Sequence, residues 1–292
     1  MQETEAYLLA YQLLQKPEEW DNHLRRANAS LVLSIIYGLP PMLDSMNPDI
    51  KRVNHFVERA LSSGCSLELF WWSTSRGWNT FLDGCTSSQM AWVILSMILY
   101  PEVQKKAQME LDRVVGRDRL PSFQDLDHLP YIHSILKEIM RWRGVGPLGI
   151  PHRLNTDDYY EGYYLPKDTI VVANAWALNH DPDVWGPDAD DFKPERHLDD
   201  NGQLKPALRD THEESHVTYG YGTSIASLLW AFDLSPCENR NGEGIPDPNK
   251  FLDEGLVVRP HHFPCVIEPR FNGVGEAILQ TLDSKGQATE TR

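Results

Sequence analysis

The chain has 292 residues, room for one large domain or two small ones, and its 41% hydrophobic and 10% aromatic content supports a sizeable core and argues against wholesale disorder. A formal net charge of -15 argues against nucleic acid or an anionic membrane as the main partner, because both demand a basic surface. Four cysteines, Cys65, Cys85, Cys237 and Cys265, form no CxxC pair, which reads as a reduced, cytoplasmic chain rather than a disulfide scaffold or a zinc module.

The N-terminus shows no basic stretch followed by an apolar core, so no signal peptide is expected. Residues 1 to about 40 read as helical. "PEEWDNHLRRANASLVLSIIYGL" opens with a proline and acids, as a helix start should, and ends at Gly38-Leu39-Pro40-Pro41. A second helical stretch, "PDIKRVNHFVERALSSG", stops at Gly64. "CSLELFWWSTSRGWNTFLDGCTSS" follows, with three tryptophans and an abrupt change of pattern, and does not read as one element. From Gln89 an apolar helix runs to a break at Pro101. An amphipathic helix then shows a charged face at Glu102, Lys105, Lys106, Glu110 and Arg113. The apolar runs "LVLSIIYGL" and "MAWVILSMILY" fall short of the roughly 18 residues that a membrane span needs.

"PSFQDLDHLPYIHSILKEIMRWRG" predicts a further helix, with Ile132, Ile135, Leu136, Ile139 and Met140 at helical spacing. The period then changes. "DYYEGYYLPKDTIVVANAWAL" predicts a hairpin around Gly162 and Pro166 and a β-branched run, and "NHDPDVWGPDADDFKPERHL" is irregular and dense in Pro, Asp and Gly. Residues 273–292 read as a polar C-terminal tail. The expected class is mainly α with a small β portion, an α+β fold, and no internal repeat is visible.

Four stretches carry the chemistry. Glu138 and Arg141 form an ExxR pair on one helical face; alone, such a pair also fits a solvated surface ion pair. "PLGIPHRLNTDDYYEGYYLPKDT" follows with His152, then "FKPERHL" with Arg196, then "HVTYGYGTSIASLLWAF" with Tyr219, Gly220 and Gly222. In this order they resemble the cytochrome P450 haem-thiolate monooxygenases, more narrowly the fungal ones, over most of residues 1–272. The resemblance implies an incomplete fold of that type. In it, Glu138, Arg141 and Arg196 make a structural charge network below the haem, because arginine can bind carboxylate and carbonyls together. His152 would contact a haem propionate. Tyr219, Gly220 and Gly222 would open the haem loop, written FGxGxRxCxG, whose cysteine thiolate binds iron.

That loop stops at Gly222. The arginine, the cysteine and the last glycine have no counterpart, and Thr223 onward resembles the later half of the next helix. Cys237 lies beyond that helix without the glycines. "DGCTSS" aligns with the (A/G)Gx(D/E)T of the helix over the haem, with Gly84 matching its glycine, Thr86 in the acid position and Ser87 in the threonine position. A Ser87 hydroxyl could donate a proton toward bound dioxygen, whereas Thr86 cannot replace a carboxylate; a polar turn bonded to its own carbonyls fits equally. The N-terminal anchor, the first strands and the helices roofing the pocket are also without counterparts.

By resemblance the function is monooxygenation of a small organic molecule in secondary metabolism, with haem, NADPH, dioxygen and a flavoprotein reductase, in a family usually anchored to the endoplasmic reticulum membrane. The competing reading is a non-catalytic remnant without a specific ligand. A third reading, zinc hydrolysis, rests on His212 and His216 in an HExxH pattern, although the turn-rich "VTYGYG" follows at once.

Overall fold

The computed structural model describes residues 2–62, 76–149, 151–206, 221–237, 245–253 and 257–285. Helix α1 (Gln2–Gln15) leads through a 3-10 turn at Pro17–Glu19 into α2 (Trp20–Tyr37), so the expected N-terminal helical region is two helices hinged at a proline. Helix α3 (Pro48–Ser62) follows, then α4 (Arg76–Leu99) and α5 (Pro101–Val114), split at Pro101 as the sequence predicts. The short α6 (Phe123–Leu126) precedes α7 (Pro130–Trp142).

Helix α4 is the axis of the fold. Its side chains from Ser87 to Ile98 are all buried, as expected of a helix that is apolar on every face. It packs against α2, α3 and α7, and Trp92 Nε1 donates to the carbonyl of Val258 at 3.2 Å. Helix α7 buries Ile132, Ile135, Leu136 and Ile139 in the same core, as their spacing predicts, while Met140 is half-buried and Trp142 joins the core beyond the expected positions.

Glu110 departs from the expected charged face of α5. It is buried, and its carboxylate accepts from the backbone N–H of Tyr131 and Ile132 at 2.9 to 3.1 Å. Those are free donors of the first turn of α7, and the positive end of the helix dipole favours an anion there.

The β portion is small: among the described residues it comprises four antiparallel pairs. Strand β1 (His152–Arg153) pairs with β4 (Ile170–Val171), and β2 (Asp158–Tyr160) pairs with β3 (Tyr163–Leu165). The β2–β3 hairpin turns through Glu161 and Gly162, both at positive φ (48° and 85°), as a tight two-residue hairpin turn requires. The stretch that reads as a hairpin and β-branched run ends in a short helix, α8 (Ala175–Asn179), and the segment that reads as irregular is ordered by α9 (Pro182–Trp185) and a 3-10 turn at Pro194–His197.

Helix α10 (Tyr221–Ala231) runs straight into β5 (Phe232–Pro236). Strands β6 (Phe251–Asp253) and β7 (Val258–Pro260) pair together, and β5 pairs with β8 (Cys265–Pro269). Buried Gln104 on α5 both donates to and accepts from the backbone of Leu234, at 3.0 and 2.8 Å, and so satisfies the edge of β5.

The polar tail expected from residue 273 begins instead with a helix, α11 (Val274–Ser284). It buries Val274, Ala277, Ile278 and Leu282 against the core and packs on α1. Only residues 286–292 of that stretch lie outside the described residues.

Candidate functional site

Glu138 and Arg141 sit one turn apart near the end of α7, and both side chains are fully shielded from solvent. The pair is bidentate: Arg141 Nε donates to Glu138 Oε2 at 2.9 Å and Nη2 to Oε1 at 2.8 Å. The rest of the guanidinium donates to three carbonyls, Asn179 and Ala189 through Nη1 at 2.7 and 2.6 Å and Asp191 through Nη2 at 2.9 Å. A buried arginine is tolerable only when its donors are matched in this way. The ring of Trp185 lies 5.3 Å from the same guanidinium.

Arg196 approaches from the 3-10 turn. Its Nε donates to Glu138 Oε1 at 2.9 Å, and its two terminal nitrogens donate to the carbonyls of Trp185, Asp188 and Asp191 at 2.8 to 3.2 Å. The three residues expected to cluster are therefore brought together, as a clamp fastening α7 to residues 179–197. Two members escape a reading of the sequence. His197 Nε2 lies 2.9 Å from Glu138 Oε2; the carboxylate can only accept, so that nitrogen carries the proton. The backbone N–H of Lys193 donates to Oε1 at 2.8 Å. His197 directly follows the PER segment, but nothing in its type announces the contact, and a backbone donor has no sequence signal at all. Burial opposes charge on Glu138, yet the hydrogen bonds from Arg141 and His197 and the Arg141 charge outweigh it and bring its pKa down to about 2.

The other expected site residues stand apart from this clamp. His152 is exposed on β1, paired in register with Val171. Thr86 is half-buried and Ser87 buried on α4, where the buried stretch of that helix begins. Gly222 is buried as the second residue of α10, so close to α6 that a Cβ there would lie 3.3 Å from Leu126 Cδ1. One residue on, Thr223 Oγ1 is buried and has no hydrogen-bond partner among the described residues. Tyr219, Gly220, His212 and His216 lie outside the described residues. Cys237 and Cys265 are free thiols at the end of the β5–β8 pair; burial, helped by Cys237, pushes the Cys265 thiol up to about 12. No described helix is long and apolar enough to cross a membrane.

Residues 84–225 match the family model "Cytochrome P450". A cytochrome P450 monooxygenase of Armillaria gallica is 38% identical over 371 residues, covering 98% of this chain and 71% of the relative. Cytochrome P450 monooxygenase 58 of Postia placenta is 34% identical over 368 residues, covering 97% of this chain and 69% of the relative. Both alignments exceed the 292 residues of the chain, so stretches of each relative have no counterpart within it. A zebrafish cytochrome P450 solved with progesterone superposes with a TM-score of 0.70 at 21% identity, over 92% of this chain and 76% of its own, which establishes the likeness of fold. With the clamp of Glu138, Arg141 and Arg196 within the matched region and relatives aligned along nearly the whole chain, the protein belongs to the cytochrome P450 family.

Proposed function

We propose that this chain is a non-catalytic cytochrome P450 scaffold, which keeps the charged clamp of the fold but not a site for thiolate-bound haem. The observation that carries this reading is the junction at Gly222. Tyr221 and Gly222 already lie in helix α10, a Cβ at Gly222 would lie 3.3 Å from Leu126 Cδ1, and the sequence has no cysteine between Cys85 and Cys237. Cys265, with its thiol pushed up to about 12, is a neutral side chain near pH 7, not a ready iron ligand. The residues present do not fit the donor set that the family implies, so no oxygen chemistry is derived from Thr86 or Ser87. Arg141, Arg196 and His197 then act in folding alone.

The second reading is the one that the relatives' names favour. A chain with a working site would oxygenate a small organic molecule, as in fungal secondary metabolism, with haem, NADPH, dioxygen and a flavoprotein reductase. Reconstitution of the purified chain with hemin, followed by reduction under carbon monoxide, separates the two. The expected result is substoichiometric haem and no red-shifted Soret band of the thiolate type. Stoichiometric haem with that band and substrate-dependent NADPH consumption would overturn the proposal. Metal analysis of the same sample tests the HExxH pattern at His212 and His216, for which stoichiometric zinc is the positive result.

A further inference from the structure

We propose that Cys237 and Cys265 form an oxidation-sensitive dithiol, which a hydroperoxide converts into a disulfide at the end of the β5–β8 ladder. Both are free thiols and both are half-buried. The ladder runs in register from Phe232↔Pro269 to Pro236↔Cys265, and Cys237 is the next residue. Paired residues in an antiparallel ladder are about 5 Å apart and the rise per residue is about 3.4 Å, so a diagonal neighbour lies about 6 Å away, Cα to Cα. That is within the range of about 4.4–6.8 Å that a disulfide spans.

Cys237 stands past the last pair, so the alternation of the strand does not force its sulfur to the face opposite Cys265. The influence of Cys237 on the titration of Cys265 agrees with two sulfurs that lie near each other. Cys265 packs against the main core, which holds one partner still while the other closes.

The chemistry balances with hydrogen peroxide as the two-electron oxidant. The Cys237 thiolate attacks the peroxide, the O–O bond breaks, and a sulfenic acid and water form. The Cys265 sulfur then attacks the sulfenic sulfur, the S–O bond breaks, and a disulfide and a second water form. Both electrons and both thiol protons end on the reduced peroxide oxygens. Because burial keeps Cys265 protonated near neutral pH, ring closure is slow there and accelerates as pH rises. The disulfide would close a loop that carries β7, whose Val258 is bonded to Val145 and to Trp92 of α4.

The test treats the purified 292-residue chain with hydrogen peroxide, then applies thiol counting, non-reducing peptide mapping and thermal melting. The expected outcome is loss of two thiols, a cross-linked peptide joining Cys237 to Cys265, and a midpoint raised by several degrees that dithiothreitol reverses. Cys265→Ser should leave Cys237 as a sulfenic acid trapped by dimedone, and Cys237→Ser should give no cross-link. Links to Cys65 or Cys85, covalent dimers, or oxidation of Cys237 to the sulfinic acid while Cys265 stays free in the unmodified chain would each overturn the proposal.

Discussion

Glu138 holds one of the largest concentrations of charge-assisted hydrogen bonds in the described chain, and its ionisation links the clamp to pH. Its folded pKa, about 2, is depressed from an ordinary value of 4.5. A depressed carboxylate contributes stability that is fully present above its unfolded pKa and is lost as pH falls through the folded one. The window is therefore pH 4.5 down to about 2, and the contribution is about 3 kcal/mol. Urea unfolding from pH 7 to pH 2.5 should show a midpoint falling in that window, and Glu138→Gln should flatten this fall while lowering stability at pH 7. A midpoint for Glu138→Gln that equals the parent's at pH 7 would mean the clamp is not stabilising. Arg141→Ala leaves Glu138 buried with fewer donors and opens three carbonyls, for a loss on the order of 3–5 kcal/mol that circular dichroism melting should register. The clamp was legible because ExxR and PER name side chains with one geometry in common. His197 and the Lys193 amide were not, because their role follows from the path of the chain and not from residue type. Glu110 departs from its expected place for a related reason: helical periodicity places it on the charged face of α5, and only the arrival of the N-terminus of α7 gives it partners.

At the scale of elements, α10 and α11 show opposite limits of reading. Helix α11 has its buried residues at Val274, Ala277, Ile278 and Leu282, spacings of three, four and eight from the first, which is a helical pattern. The polar residues after it dilute that signal, so composition points to a tail where periodicity points to a helix. Ile278 is fully buried, and Ile278→Ala should cost about 2–4 kcal/mol in denaturant unfolding, whereas no cost would show that α11 does not dock on α1. In α10 the apolar run was plain, but the polar atoms it buries were not foreseeable. Thr223 Oγ1 is an acceptor and donor without a partner among the described residues, a burden of about 1–3 kcal/mol for such a group. Thr223→Val keeps the shape and removes the orphan hydroxyl. It should raise the unfolding free energy by about 1 kcal/mol, and a clear loss would show that the hydroxyl has an unseen partner.

At the scale of the whole molecule, the proposed loss of the haem site involves more than the loop that the resemblance places after Gly222. Inserting a family-type RxCxG segment between Gly222 and Thr223 restores a cysteine at the position the resemblance assigns to it. The insertion also falls inside α10, which already runs from Tyr221, and must pull Gly222 from its contact with Leu126. A loop built there has to break into helix α10 where its next residue, Thr223, is fully buried. Haem affinity depends on burying a large apolar disc as much as on the iron bond, and the relatives' alignments contain stretches with no counterpart here. His152, the residue the resemblance offers to a propionate, is exposed on a two-residue strand. The repaired chain should therefore melt lower than the parent, take up haem weakly, and consume no NADPH with a reductase. Equilibrium titration with hemin and the reduced carbon monoxide spectrum provide the measurement. Tight one-to-one uptake with a thiolate-type band would show that these 292 residues retain a pocket and that the loop alone was wanting.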